Sequence, residues 1–294
     1  MPLLGEVLSL AAALTWAIAV ILFKRVGDEV SAPALNLFKN TIAVVAIALV
    51  LPFAGTEIIP DRPFREWALL AASGVVGIAI ADTLFFLALA RIGAGLLAIV
   101  DAFYSPSVLL FSHALIGERV GTQVFVGGAL VVSAIAVGSA DPPPQGRTRR
   151  DLAVGVTYGA LAVILMAIGI VAVKNLLETM PVLWAAEVRL VFAGLGLLPL
   201  LFVRSIRRDS AKLLRPGGLL WAALPAGLLG GFVSMVFWIG GMKYTLASVS
   251  AILNQLTTIF IVLLAAAFLR DRLTPRRVVA VIIATIGAVL VVLR

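Results

Sequence analysis

Two aspartates, Asp82 and Asp101, stand in stretches that are otherwise almost wholly apolar. Asp101 is followed at i+3 and i+4 by Tyr104 and Ser105, which share its face on a helix. Pro106 comes next and removes a backbone donor, freeing a carbonyl one turn back. A bent, polar, aromatic-bearing helix face suits a small-solute cavity. The same aspartate could instead pair with a neighbouring helix or accept hydrogen bonds from opened backbone. Asp82 carries Phe85 and Phe86 on its side of a helix. A carboxylate inside a membrane can trade protons, which makes Asp82 and Asp101 the candidates for proton or ion coupling. For Asp82 the competing reading is an ion pair with Lys39.

Other polar residues repeat at helical spacing. Asn36, Lys39 and Asn40 share one face, while Glu187 and Arg189, two apart, point in different directions and cannot satisfy each other. Lys39, Glu187 and Arg189 are read as scaffold or gating charges that need carboxylate partners elsewhere. Ser250, Asn254, Thr257 and Thr258 form a stripe with Gln255 beside it. Neutral amides and hydroxyls can hold a zwitterion without burying a fixed charge, or can hydrogen-bond one helix to the next. Trp16 and Trp184 lie mid-run, as cavity walls or as packing. The candidate cavity set is therefore Trp16, Phe85, Asp101, Tyr104, Trp184, Ser250, Asn254 and Gln255. A lone histidine, His113, and the absence of cysteine argue against a metal site or a cofactor. No Ser/His pairing, His/Asp cluster or phosphate-binding glycine loop is present, so neither an enzyme nor ATP drive is expected. Nothing resembles the charge ring or carbonyl filter of a channel.

The elements that must carry these residues are hydrophobic throughout. Of the 294 residues 62% are hydrophobic and 13% charged, with mean hydropathy +1.14, which leaves no room for a soluble domain. A helix needs about 20 apolar residues to cross a bilayer. Ten such runs fall at 4–23, 32–53, 66–90, 92–115, 122–140, 152–173, 181–203, 218–241, 245–268 and 275–293. The first is read as a retained span, because its basic residues, Lys24 and Arg25, follow it. Residues 66–117 and 218–269 would each make a helix about 75 Å long, so each must turn back. Arg91 with Gly93 and Gly95 marks the first reversal, and Gly240, Gly241 and Lys243 the second.

The chain divides at a stiff linker, 141–151, into a first half (1–140) and a second (152–294). Lys24 matches Lys174 and Lys39 matches Arg189 at a spacing of 150; Arg91 matches Lys243, and Glu118-Arg119 matches Asp271-Arg272, at slightly longer spacing. Five helices per half would make the second copy enter from the opposite face, an inverted repeat of the transporter kind. The fold class expected is thus an all-α polytopic membrane protein of ten transmembrane helices in two inverted five-helix repeats. The net charge of +8 resides largely in loops, where anionic lipid and membrane topology explain it better than nucleic acid. Its bias puts the Arg204–Arg215 loop in the cytoplasm and both termini outside. Small faces at Gly127, Gly128 and on the last span leave a monomer or a homodimer open.

The stretch Ala81–Ala94 (ADTLFFLALARIGA), Pro106, and Ile116–Val120 (IGERV) with Gln123 and Gly127 resemble the first half of an EamA-type protein of the drug/metabolite transporter superfamily. Lys24 and Lys39 fit the basic positions of its first two helices, and Leu269–Leu273 (LRDRL) with Gly287 is similar to its ending. The resemblance implies a ten-helix carrier for small metabolites in a bacterial or archaeal cytoplasmic membrane, often an exporter of amino acids or related solutes. It also implies cytoplasmic termini, against the charge bias. Its partners would be a small solute and the lipid bilayer. Efflux of lipophilic or quaternary cations is the alternative, with Asp82, Phe85 and Phe86 as the binding group.

Overall fold

The computed structural model describes residues 3–54, 60–117, 121–140, 147–245, 247–271 and 273–292, without the side chains of 124, 247–249, 251, 252, 288, 291 and 292. Glu118–Val120, linker residues 141–146 and Arg272 lie outside this set. The described chain is helical throughout. Its α-helices are α1 (Leu4–Gly27), α2 (Ala32–Val50), α3 (Phe64–Gly74), α4 (Ala81–Asp101), α5 (Tyr104–Ile116), α6 (Thr122–Ser139) and α7 (Arg149–Val171). There follow α8 (Lys174–Thr179), α9 (Val182–Leu197), α10 (Arg204–Leu214), α11 (Gly218–Gly227), α12 (Ser234–Tyr244), α13 (Ala247–Phe268) and α14 (Pro275–Val292). Two π-helical turns, Val75–Ile80 and Leu228–Val233, join α3 to α4 and α11 to α12.

Among the described residues six helical runs are long and apolar enough to cross a membrane: Leu4–Gly27, Ala32–Ala54, Phe64–Asp101, Arg149–Val171, Val182–Phe202 and Gly218–Tyr244. Shorter apolar helices accompany them, among them Tyr104–Ile116, Phe125–Ser139 and Leu253–Phe268. The protein is a multi-pass membrane protein. At Gly93 the long run leaves helical geometry (φ 75°, ψ 172°), inside the segment where a reversal is expected. A positive φ of this kind is what glycine tolerates and other residues resist.

The second break falls later than expected. Gly240 and Gly241 stay helical, and the chain becomes extended only at Thr245. These glycines serve packing: a Cβ on Gly241 would strike Ser9 Oγ, and one on Gly240 would lie 3.0 Å from Leu8. They let α12 lie against α1. Pro106 likewise does not bend its helix. The chain is interrupted at Ala102–Phe103, and Pro106 sits in the first turn of α5, where a missing N–H costs no helical bond.

The most extensive helix pairs, α14 with α6, α4 with α7, and α1 with α13 and α12, each join one half of the chain to the other. The small faces are used within this bundle. A Cβ on Gly287 would come 2.7 Å from the Gly127 carbonyl, so α14 and α6 touch almost backbone to backbone. At the entry to α7, Asp151 accepts from Thr148 N (2.9 Å) and Oγ1 (2.8 Å) in a reciprocal cap. Those bonds hold the Asp151 carboxyl below its ordinary value. The cap therefore strengthens helix entry above the ordinary aspartate range and weakens as pH falls through the lowered value.

Close helix contacts give a direct test of the packing. Gly74 faces the Arg189 carbonyl with no space for a Cβ, whereas nothing lies within 4 Å of one on Gly194. Gly74→Ala should destabilise by about 1–3 kcal/mol, while Gly194→Ala should be neutral or gain up to about 1 kcal/mol of helix propensity. Thermal unfolding of the two variants in detergent checks this.

Candidate functional site

Helices from both halves enclose a cavity with about 820 Å³ of empty space, part of it continuous with the outside. α1 contributes Ala12 and Trp16, α2 Lys39, α4 Asp82 and Asp101, and α5 Tyr104. From the second half come Met166, Arg189, Ser234, Met235, Trp238, Asn254, Gln255 and Thr257. Both π-helical turns reach the wall, through Gly77 with Ile78 and through Gly230. A π turn inserts an extra residue and often marks a functional position. Here it brings bare glycine backbone to the cavity and into contact with neighbouring helices. Gly169 of α7 packs on the Cα of Gly77, and Gly230 packs on Ala19 and Phe23 of α1.

The charges are arranged unequally. Lys39 and Asp82 are buried and form an ion pair across α2 and α4. α2 is held in register by Asn36, whose amide donates to Ala79 O (2.9 Å) and Thr83 Oγ1 (3.0 Å) and whose Oδ1 accepts from Asn40 (2.9 Å). Arg189 is only 1% exposed. Its Nε donates to Ser73 Oγ (2.9 Å), which donates onward to Gly169 O (2.6 Å). Its Cζ lies 5.7 Å from the centre of the Trp238 ring, a cation–π contact. Nη1 is buried and meets no partner among the described residues. Asp101 borders the cavity and makes no ion pair among the described residues. The ring of Tyr104 stands 6.4 Å from that of Trp238.

The amide stripe of α13 bridges the halves. Gln255 donates to Ser105 Oγ (2.7 Å) and Thr258 to Ala98 O (3.1 Å). Asn254 lines the cavity with one weak bond to Ser250 Oγ, at 3.4 Å. The sequence-derived residues Trp16, Lys39, Asp82, Asp101, Tyr104, Arg189, Asn254 and Gln255 thus converge on one space.

Three of the residues expected at the cavity stand elsewhere. Phe85 is buried behind Trp16, with ring centres 5.6 Å apart, because it closes an aromatic stack with Phe86 and Phe23. Trp184 packs edge-on against Trp67 at 5.2 Å under the Arg62 guanidinium, away from the cavity. Ser250 is buried against α1, accepting from Ser9 Oγ at 2.9 Å. Glu187 does not line the cavity, and its Oε2 has no hydrogen-bond partner among the described residues. Arg189 differs from its expected role in having no carboxylate ion pair among the described residues. Trp238, Met166, Met235 and the two π-turn glycines escape sequence reading. Each sits in a continuous apolar run, where periodicity does not separate a cavity face from a packed one.

An all-helical multi-pass membrane protein with its buried charges gathered round one cavity belongs to the class of membrane transport proteins. The chain belongs to the EamA-like transporter family, whose model matches residues 3–139 and again 153–293. Among curated proteins it is similar to Protein PecM of Dickeya dadantii (strain 3937), at 26% identity over 215 residues, covering 71% of this chain and 68% of PecM. Its fold is that of a protein of known crystal structure at TM-score 0.70 and 18% identity, with 97% and 95% of the two chains covered. The protein is accordingly a transporter of small solutes across the membrane, and its partners are a small molecule and lipid.

The Lys39–Asp82 pair can be tested separately from transport. Removing one partner leaves an uncompensated buried charge, so Lys39→Met or Asp82→Leu alone should cost about 3–5 kcal/mol, while the double change should recover most of it. A double-mutant cycle of thermal unfolding in detergent gives the coupling; additive losses would contradict the pairing.

Proposed function

We propose that this chain is a secondary carrier which exports small amino acids or related metabolites by alternating access, with ten crossings in two inverted five-helix repeats, 1–140 and 152–294, joined by 141–151. The observation that carries the reading is the unpaired Asp101 in a cavity that also holds cationic and amide groups. A zwitterion presents one charge of each sign. Asp101 takes its ammonium, and Asn254 and Gln255 supply neutral hydrogen bonds, while Trp16, Trp238, Met166 and Met235 offer apolar surface. The double family match supports the repeat. So does the recurrence of a π-helical turn 153 residues later, at the same place between its flanking helices.

Coupling to protons is assigned to Asp101, with Asp82, which pairs with Lys39 across α2 and α4, as the second candidate. A second reading, efflux of lipophilic cations, has one observation in its favour, the presence of Tyr104 and Trp238 on the wall of the same cavity as Asp101. It moves the cation site from Asp82, which Lys39 already neutralises, to Asp101.

Counterflow in proteoliposomes with a panel of amino acids and quaternary ammonium ions separates the two. Amino acids should exchange, and Asp101→Asn should lower exchange by at least about tenfold, the loss of roughly 1.4 kcal/mol of solute binding. Full pH-dependent exchange in both Asp101→Asn and Asp82→Asn would refute the coupling assignment. Saturable uptake of quaternary ammonium alone would select the second reading.

A further inference from the structure

The two halves of the chain place a cation at the same position, and only one half supplies its counter-ion. Lys39 on α2 and Arg189 on α9 are 150 residues apart. Asp82, which pairs with Lys39, stands two residues beyond the first π-helical turn. Two residues beyond the second π-helical turn stands Met235, preceded by Ser234. Both line the cavity. α9 lies against α12 as α2 lies against α4, so the helix whose Trp238 covers Arg189 carries a thioether and a hydroxyl where α4 carries the carboxylate mate of Lys39.

From this vacancy in the repeat pattern we infer that Arg189 is the anion-recognition residue of the cavity, and that its ligand is a small molecule bearing a carboxylate. The inference rests on the reading of the cavity as the solute site. A guanidinium fixed at one edge and open at another is suited to bind a carboxylate through parallel N–H bonds. Ser73 fixes Nε and Trp238 covers the face, so the remaining edge is oriented before any ligand arrives. Gly77 of the first π-helical turn lies beside the guanidinium, where a Cβ would stand 3.7 Å from Nη2. Nη1 is buried and without a partner among the described residues, so a ligand carboxylate that reaches it satisfies a donor this chain leaves unmet. Asp82, a carboxylate that lines the cavity from α4, has its Oδ2 committed to Lys39. A ligand carboxylate thus completes in the second half the pair that the first half makes with its own side chain. The ligand binds in one orientation, with carboxylate to Arg189 and any ammonium to Asp101.

The test is calorimetric binding to the full-length protein in detergent of L-methionine, L-leucine and L-phenylalanine, each beside its amide and beside the amine lacking the carboxyl group. Carboxylate-bearing members should bind at least about tenfold more tightly than their amides. Arg189→Gln should erase that preference and Arg189→Lys retain part of it. Met235→Asp, which supplies the missing mate, should erase it too while leaving Arg189 in place. Equal binding of acid and amide, no binding of any carboxylate, or an undiminished preference in Arg189→Gln would overturn the inference. Exchange in proteoliposomes tests the carrier reading on its own: a preference for acids that vanishes in Arg189→Gln, without exchange of those acids, would sustain Arg189 and overturn the proposed amino-acid export.

Discussion

Hydrocarbon does not solvate a fixed charge. A charged side chain at mid-membrane costs about 2.5–3.5 kcal/mol on insertion scales, and the arrangement of this protein follows from that cost. Lys39 and Asp82 neutralise each other, and the Asn36 and Asn40 amide groups donate to backbone and to one another across the same region. Arg189 and Asp101 make no ion pair among the described residues, and both border the cavity between the halves. Their cost is tolerable there because water or a solute can stand in for the missing partners. The cavity and the charges therefore require each other.

Holding those charges at one depth depends on helices that approach closely. Gly74 against the Arg189 backbone, Gly169 against Gly77, and Gly231 against the Lys39 carbonyl bring α9, α7 and α2 to within backbone contact of the π-helical turns. Association of helices in lipid draws on such contacts and on interhelical hydrogen bonds, since apolar side chains gain little by leaving lipid tails. The π turns widen the helix just where glycine replaces a side chain, and both reach the wall of the cavity. Long-range bonds such as Gln255 to Ser105 join the halves across the same space.

Much of this was legible in the sequence because lipid imposes a strict pattern. Asp101, Tyr104, Lys39, Asn254 and Gln255 stand out as polar residues in apolar runs, and the structure brings them together. The break at Gly93 was legible because the run containing it is too long for a bilayer. Phe85, Trp184 and Trp238 were not separable by type: all are aromatics within apolar helices, and only tertiary packing decides which meets the cavity. Gly240 and Gly241 read as a turn because glycine serves turns and close packing alike. The asymmetry of the two cations became visible only when the π-helical turns supplied a common register for α4 and α12.

The central claim is that the space between the two halves is the solute path. The natural sequence contains no cysteine, so a single introduced thiol can be followed without background. Asn254→Cys should react with a small water-soluble thiosulfonate in membranes, and saturating transported solute should slow that reaction, while Val45→Cys, on an outward-facing position 52% exposed, should stay unreactive throughout. An unreactive Asn254→Cys, or one whose labelling ignores every solute that the protein exchanges, would contradict the account.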